Sequence, residues 1–328
     1  MKTITKIMHS AFAIVIFAIG AVTANGAVND VFASVNGSGS NGGGFIYHYT
    51  STGVQSTFAS GLSRPRGVAF DGFGNLFVAT NTFNSSTGTL SAAILKIFPD
   101  GTQTTFANIN GPSANVFAQD VKFDTAGNLF VMVEDSTDPN LASTIYKFTP
   151  NGTQSTFGSV PSQGFGLAFD STGNLFATGG DQNIYKFTPD GTRTVFVGPT
   201  ALAGEGPIGL AFDRFGNLFV SVVTGIIGGG PNDGILKFTP NGVGSTFATG
   251  LLKFPRGLAF NQGGNLFVAE VGEDPNPVPA PGDILKFTPN GVETVFAQNI
   301  VPGGNNSGPE YLAVQLPTTP PHPTPPPH

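Results

Sequence analysis

The chain contains no cysteine and no tryptophan, and only 10% of its 328 residues are charged. Without cysteine there can be no disulfide and no thiol catalysis, so stability must come from packing alone. Asp and Glu number 20 against 14 Lys and Arg, and the basic residues do not cluster. Because phosphate backbones are bound by clustered basic side chains, we expect no nucleic-acid partner.

Long apolar runs are also absent, apart from one near the N-terminus. Two lysines precede an apolar run at about residues 11–22, and small residues follow it up to Ala24. This layout is typical of a secretory signal peptide over residues 1–24, with cleavage after Ala24 or Ala27. A membrane anchor is the alternative, but the run is short for a span of roughly 20 residues. We therefore expect a secreted, periplasmic or cell-surface protein with no stable membrane span after signal cleavage.

Repetition is the most abundant feature of the sequence. The tetrapeptide Gly-Asn-Leu-Phe occurs five times at intervals of 53, 46, 43 and 48 residues, beginning at Gly74, Gly127, Gly173, Gly216 and Gly264. Around each copy, four short segments rich in Phe, Val, Leu and Ile alternate with turn residues such as Asp-x-x-Gly-Asn. A repeat of about 47 residues with four strands indicates one blade of a β-propeller.

The two ends of the repeat region supply a sixth blade. Residues 30–59 match only the last three strands of a unit, and residues 309–314 match the missing first strand. Pairing the C-terminal strand with the N-terminal three strands would close the ring and remove exposed sheet edges. We predict an all-β fold, a six-bladed β-propeller of four-stranded antiparallel blades over residues 28–316. A Pro-rich, disordered tail is expected over residues 317–328.

The units, such as Pro65-x-Gly67-Val-Ala-Phe-Asp71-x-x-Gly-Asn75, resemble NHL repeats over about residues 30–315. More loosely, they resemble gluconolactonase-like and streptogramin-lyase-like propellers. The resemblance to gluconolactonase-like propellers implies a catalytic divalent metal held by acidic and amide side chains at the channel mouth. The resemblance to streptogramin-lyase-like propellers implies a histidine base near a metal. Propellers host many unrelated activities, so the fold alone selects neither.

The residue just before the innermost strand of each blade should point into the mouth of the central channel. The long loops between second and third strands lie on the same face, where binding is expected. The six ring positions are Arg66, Gln119, Phe165, Ile208, Arg256 and Glu310. A calcium site needs several oxygen ligands together, and this ring offers only Glu310 and Gln119, with Glu205 as a further weak candidate ligand. We expect Glu310 to meet Arg66 and Arg256, either as a salt-bridged latch or as a site for a small anion.

The remaining titratable residues have simpler explanations. Four aspartates recur before Gly-Asn, so we expect them to form turns: Asp71, Asp124, Asp170 and Asp213. Six loop acids could bind calcium but are expected to be solvated charges: Glu134, Asp135, Asp138, Glu270, Glu273 and Asp274. His48 occupies the repeat position of a lysine, so we expect it on a strand surface, with no Ser-His-Asp set to be assembled. His322 and His328 in the tail could touch a metal, although we expect both to be inert.

These observations favour an exported, non-catalytic binding or scaffold propeller without a cofactor. We expect a monomer that recognises a protein or a glycan through its loop-bearing face. The alternative is a calcium-dependent hydrolase of the lactonase type, or a lyase of the streptogramin-lyase-like type. Converging carboxylates in the channel ring would favour the enzyme.

Overall fold

The computed structural model describes residues 29–37, 43–138, 142–224, 233–250, 252–272, 281–300 and 308–317. The expected signal peptide lies outside these residues, as does the tail after Pro317. Within the described ranges, no helix has the length and apolar character to cross a membrane.

The described strands form six antiparallel sheets of four strands each, which are the blades. The first three blades contain β1 (Val31–Val35), β2 (Gly44–Tyr49), β3 (Gln55–Leu62); β4 (Val68–Phe70), β5 (Leu76–Asn84), β6 (Thr89–Ile97), β7 (Gln103–Asn108); and β8 (Val116–Phe123), β9 (Leu129–Asp135), β10 (Ser143–Phe148), β11 (Gln154–Val160). The last three contain β12 (Leu167–Phe169), β13 (Leu175–Gly179), β14 (Asn183–Phe187), β15 (Arg193–Val197); β16 (Gly206–Phe212), β17 (Leu218–Val223), β18 (Gly234–Phe238), β19 (Gly244–Thr249); and β20 (Pro255–Phe260), β21 (Leu266–Glu270), β22 (Gly282–Phe287), β23 (Glu293–Ile300).

The remaining strand, β24 (Pro309–Val314), completes blade one from the other end of the chain. Val314 pairs with Val31 in an antiparallel register. Beyond this pair, the Gln315 N–H donates to the Asp30 carbonyl at 2.9 Å. The same backbone bond joins Asp71 to Asn75 inside blade two, also at 2.9 Å. The predicted six-bladed fold and its closure by the C-terminal strand are therefore confirmed.

The aspartates before Gly-Asn hold turns, as predicted. Asp71 Oδ1 accepts the backbone N–H of Asn75 at 2.8 Å, and its Oδ2 accepts the Asn75 side-chain amide at 2.7 Å. Asp124, Asp170 and Asp213 make the same pair of bonds in the next three blades. Because these carboxylates are engaged in their own turns, they do not form a ladder of metal ligands.

The blades pack on one another through a repeated aromatic contact. Phe77 of blade two meets Phe106 of its own blade and Phe123 of blade three, edge to face, with ring centroids 5.0 and 4.9 Å apart. Four further trios repeat this geometry, centred on Phe32, Phe130, Phe176 and Phe219. Between blades six and one the third ring is replaced by Val314. The edge-to-face arrangement adds about 0.5–1.5 kcal/mol per pair to the burial of the rings.

Glycines bring the inner strands close together around the channel. A Cβ on Gly209 of blade five would lie 2.0 Å from the carbonyl oxygen of Arg256 in blade six. A Cβ on Gly67, Gly166 or Gly257 would lie 2.5, 2.3 or 2.6 Å from the backbone of the next blade. The equivalent positions in blades three and one carry Asp120 and Tyr311. These two side chains therefore project where the other blades leave only backbone.

Candidate functional site

The predicted ring positions lie on irregular backbone at one end of the inner strands. In blades three, five, six and one, the pairing of the inner strand shifts register at the ring residue, which marks a β-bulge. In the other two blades, Arg66 and Phe165 lie two residues before β4 and β12. Bulges redirect side chains away from the regular alternation of a strand. This geometry explains how six ring side chains can be directed toward one channel.

Three ring side chains form the charged cluster expected from the sequence. Arg66 Nη1 and Arg256 Nη1 each donate to Glu310 Oε2 at 2.6 Å. Asn36 Nδ2 donates to the other oxygen, Oε1, at 2.9 Å. Burial alone would raise the pKa of the Glu310 carboxyl, but the charges of Arg256 and Arg66 and the hydrogen bonds from Arg256 and Asn36 hold it below its usual value. Glu310 is thus a buried carboxylate shared by two guanidiniums.

Each of these guanidiniums also rests on an aromatic ring. The Arg66 guanidinium carbon lies 5.2 Å from the centroid of Phe117, and that of Arg256 lies 4.8 Å from Phe254. Phe254 has a φ of 58° and Arg64 a φ of 40°, and each directly precedes a proline. A bulky residue with positive φ is strained by about 1–3 kcal/mol, and such strain clusters at functional sites. Each strained residue lies two positions before a ring arginine.

A second group of polar side chains lies at blades three and four. Glu134 Oε2 accepts the amide of Gln163 at 2.6 Å and that of Gln119 at 3.3 Å. Both amides therefore donate to Glu134, and the Gln119 oxygen is left buried without a partner among the described residues. The expectation that Glu134 is a solvated loop charge was wrong, because only 8% of it is exposed and it fixes two amides.

The other loop acids have different fates. Glu270 is also buried rather than solvated, with 2% exposed, and accepts the Lys253 N–H at 2.8 Å. Asp135, the last residue of β9, accepts from Ser113 in the β7–β8 connection and from Thr137 in the following loop. Burial would raise the pKa of its carboxyl, but these bonds hold the pKa below its usual value. Asp138 lies in the same loop. Glu273 and Asp274 lie outside the described residues.

The ring positions open into a cavity of about 550 Å³. Its lining comprises five of the six ring residues and their neighbours, namely Arg66, Gln119, Ser162, Gln163, Phe165, Gly180, Gln182, Gly204, Gly206, Ile208, Val223, Phe254 and Arg256. Tyr311 of blade one extends across the ring, where its hydroxyl donates to the Phe165 carbonyl of blade four at 3.2 Å. Burial raises the pKa of this hydroxyl, so it stays a donor. The mouth is therefore a concave, mixed polar and aromatic site.

The opposite face, which bears the tight turns, also carries a cavity. The sequence did not predict this cavity. Its volume is about 850 Å³, and it lies between the Asp71 and Asp124 turns and residues 314–317. Phenylalanines of the interblade trios form much of its wall. Its aspartates are already engaged in turns. The mouth therefore remains the better candidate site.

His48 is less exposed than expected, with 12% of its side chain accessible. Its Nε2 lies 2.7 Å from Asp30 Oδ2, and its Nδ1 lies 3.2 Å from Ser56 Oγ. The expectation that no Ser-His-Asp set could be assembled was therefore wrong. Ser56 is nevertheless a repeat position, because a serine or threonine faces the corresponding lysine in each of the other blades. The repeat thus explains this hydroxyl without catalysis.

The ring does not fit the calcium site that the resemblance implied. Both oxygens of Glu310 already accept hydrogen bonds from arginine or asparagine. Glu205 lines a separate cavity with Leu202 and Val222. In the part of the chain that the structure describes, no three His, Cys, Asp or Glu side chains come together as a metal site requires. A hard cation needs several oxygen ligands at once, which this donor set does not supply.

No protein-family model matches the sequence, and no curated protein matches it either. Solved structures do share its fold. The chain is similar to a streptogramin B lyase at 15% identity and a TM-score of 0.54, over 88% of this chain and 98% of that one. A PQQ-bound aldose sugar dehydrogenase from Streptomyces coelicolor follows at 15% identity and 0.52, over 76% and 85%. A gluconolactonase from Xanthomonas campestris has 16% identity and 0.47, over 69% and 75%.

The streptogramin B lyase and the dehydrogenase are enzymes, and the lyase is of one kind that the repeats resemble. At such low identity the similarity shows the fold alone. The chemistry of this chain must be argued from its own site.

Proposed function

We propose that this chain is a binding propeller that recognises a glycan at the mouth on its loop-bearing face. The observation that carries the proposal is the cavity at the channel ring, which combines aromatic, amide and guanidinium groups in one concavity. Ligand sites of this size are mostly apolar, with a few well-placed polar groups that give orientation and specificity.

The chemical groups that line the mouth favour a glycan over a protein as the ligand. Phe165 and Phe254 offer ring faces on which the apolar face of a sugar can pack. Gln163 and Gln182 offer amides that can bond to hydroxyls. The amides of Gln119 and Gln163 are held by Glu134, so they are oriented before a ligand arrives. A protein partner would instead need a large contact area on the surrounding loops.

Binding can be tested with the purified chain on an array of glycans, followed by calorimetry on each retained glycan. Phe165→Ala should weaken binding at least about tenfold, since a stacked aromatic pair and its buried area exceed 1.4 kcal/mol. Phe215→Ala is the matched control, because Phe215 is 70% exposed on the turn face. Failure to retain any glycan, or equal binding by both variants, would contradict the proposal.

A calcium-dependent hydrolase or lyase is the second candidate, favoured by the enzymes among the structural neighbours. It can be tested by metal analysis of the purified chain and by lactone hydrolysis with and without calcium. We expect no stoichiometric calcium and no turnover above background. One bound calcium that is lost in Glu310→Gln or Glu205→Gln, together with calcium-dependent turnover, would reverse the ranking.

We also propose that the protein acts outside the cytoplasm as a monomer. The layout of the N-terminal segment is the observation that supports export. Sequencing the N-terminus of the protein recovered from the producing cell should show cleavage after Ala24 or Ala27. An intact N-terminus would contradict export by this route.

A further inference from the structure

Among the described residues, the charged groups that line the mouth cavity are cations. Arg66 and Arg256 line the cavity, with 17% and 15% of their side chains exposed. The carboxylates of Glu310 and Glu134 do not line it and are buried behind the arginines and glutamines. The ring residues Arg66, Arg256 and Glu310 alone carry a surplus of one positive charge, which the buried Glu134 cancels. A ligand nevertheless meets guanidinium N–H groups first.

These guanidiniums retain hydrogen-bonding capacity. Each has five N–H donors, and the described contact to Glu310 uses Nη1. The Nε atoms of both arginines are buried with no partner in the described ranges. The donors left for a ligand in the cavity are therefore the terminal Nη groups. A guanidinium matches a carboxylate through two parallel bonds, and the rings of Phe117 and Phe254 already hold both groups in place.

Different chemistry surrounds the rest of the cavity. Gln119 and Gln163 lie in the direction of blades three and four, and Phe165 and Ile208 provide apolar surface at blades four and five. The mouth thus combines a cationic sector, an amide sector and an apolar sector. One sugar unit that carries a carboxylate, several hydroxyls and an apolar ring face would satisfy all three.

We propose that the ligand is an acidic glycan of the hexuronate type. Its carboxylate would bind Arg66 and Arg256, its hydroxyls would bond to the amides, and its ring would pack on Phe165. This inference rests on the proposed function and adds the acidic group to it.

Calorimetry on the purified chain with a trimer of galacturonate tests the acidic group. The reference ligand is the same trimer with its carboxylates reduced to alcohols, and acetate serves as an anion without a sugar. We expect the acidic trimer to bind at least about tenfold more tightly than the reduced trimer, since charge-assisted hydrogen bonds contribute about 1.5–3 kcal/mol. Arg256→Gln should remove this preference, whereas Arg214→Gln, on the exposed turn face, should keep it.

A wild-type measurement keeps the test independent of the folding of Arg256→Gln. Raising NaCl from about 50 to about 500 mM should weaken the acidic trimer severalfold and leave the reduced trimer unchanged, because salt screens charge. Equal affinity for the two trimers would overturn the acidic preference and leave glycan binding intact. Acetate binding as tight as that of the acidic trimer would show that the mouth binds anions without recognising a sugar, and would overturn the hexuronate assignment. Failure of both trimers to bind would overturn this inference, and the glycan array then decides whether the proposed function falls with it.

Discussion

The turn-bearing ends of the blades and the channel ring follow opposite rules. At the turn-bearing ends, the same aspartate turn and the same phenylalanine trio recur in blade after blade. In the ring, the equivalent position carries arginine twice and otherwise a different residue each time: Arg66, Gln119, Phe165, Ile208, Arg256 and Glu310. Folding is sufficient to explain the repeated residues, because they hold the turns and pack the blades together. The position at which the repeat varies therefore marks the surface that is free to serve binding.

The largest effect should come from Glu310→Gln in the ring. The substitution leaves two guanidiniums beside a neutral amide, and breaking a buried ion pair in this way costs about 3–5 kcal/mol. Chemical denaturation should show this loss in the free energy of unfolding. Glu293→Gln is the control, since Glu293 is exposed at the start of β23. Equal stability of the two variants would contradict the latch that the geometry describes.

The same carboxylate predicts how stability changes in acid. The pKa of Glu310 is lowered in the folded chain, so its contribution is present above the ordinary glutamate value of about 4.3. That contribution is lost as the pH falls through the lower, folded value. The wild type should therefore lose its advantage over Glu310→Gln only below about pH 4. An advantage that already disappears near neutral pH would contradict this assignment.

The repeated part of this molecule could be predicted from sequence, and the ring only in part. Blade count, closure by residues 309–314 and the meeting of Glu310 with two arginines follow from alignment of the units. Alignment cannot show that Glu134, on a second strand, is buried against Gln119 and Gln163. Nor can it show that Tyr311 reaches Phe165 in the opposite blade. These contacts join different blades, and no spacing within one repeat encodes them.

One sequence signal for the ring was available and was missed. Small hydroxyl residues follow Gly-Asn-Leu-Phe in some blades and accept the N–H groups of the neighbouring inner strand. Ser221 Oγ accepts the Gly209 N–H at 2.7 Å and donates to the Arg256 carbonyl at 2.7 Å. Thr178 accepts the Gly166 N–H at 2.9 Å in the same way. A buried serine or threonine in an apolar strand thus indicates irregular backbone beside it.

The next largest effect should come from Gly209→Ala, which tests the close approach of the inner strands. Its Cβ would lie 2.0 Å from a backbone oxygen that cannot turn away. We expect a loss of about 3 kcal/mol in unfolding free energy, at the upper end for overpacking. Gly206→Ala on the same strand is the control, because its nearest contact would be an ordinary 3.6 Å. Similar stability of the two variants would show that the strands are less tightly joined than described.

An effect of similar size but opposite sign is expected at Glu270, the buried carboxylate of blade six. Burial, assisted by the charges of Asp283 and Glu293, raises its pKa to about 7, against the opposing N–H and charge of Lys253. Folding therefore favours the protonated form, and stability falls as the pH rises from about 4.3, the unfolded value, to about 7. Glu270→Gln cannot ionise and should be more stable than wild type by about 3 kcal/mol at pH 8, but equal to it near pH 4.

The pH dependence is the control within this experiment. Thermal or chemical unfolding of wild type and Glu270→Gln across that range should give curves that diverge only above the unfolded pKa. A constant difference between them would mean that packing, and not ionisation, separates the two proteins. The comparison with Glu310 is direct, since one buried carboxylate should weaken the fold when charged and the other should strengthen it.

The smallest effect should come from the repeated turn. Asp213→Ala removes the acceptor for the Asn217 N–H and side-chain amide, at 2.9 and 2.8 Å, and should cost about 1 kcal/mol. Asp213→Asn should cost less, because Asn261 already holds the same turn in blade six by accepting the Asn265 N–H at 2.9 Å. Both variants should bind ligands at the mouth as the wild type does, since the turn lies at the opposite end of the blade. Denaturation curves measure the first two effects and calorimetry the third. A change in affinity for Asp213→Ala would show that the turn influences binding at the ring. The turns and the ring would then not act independently.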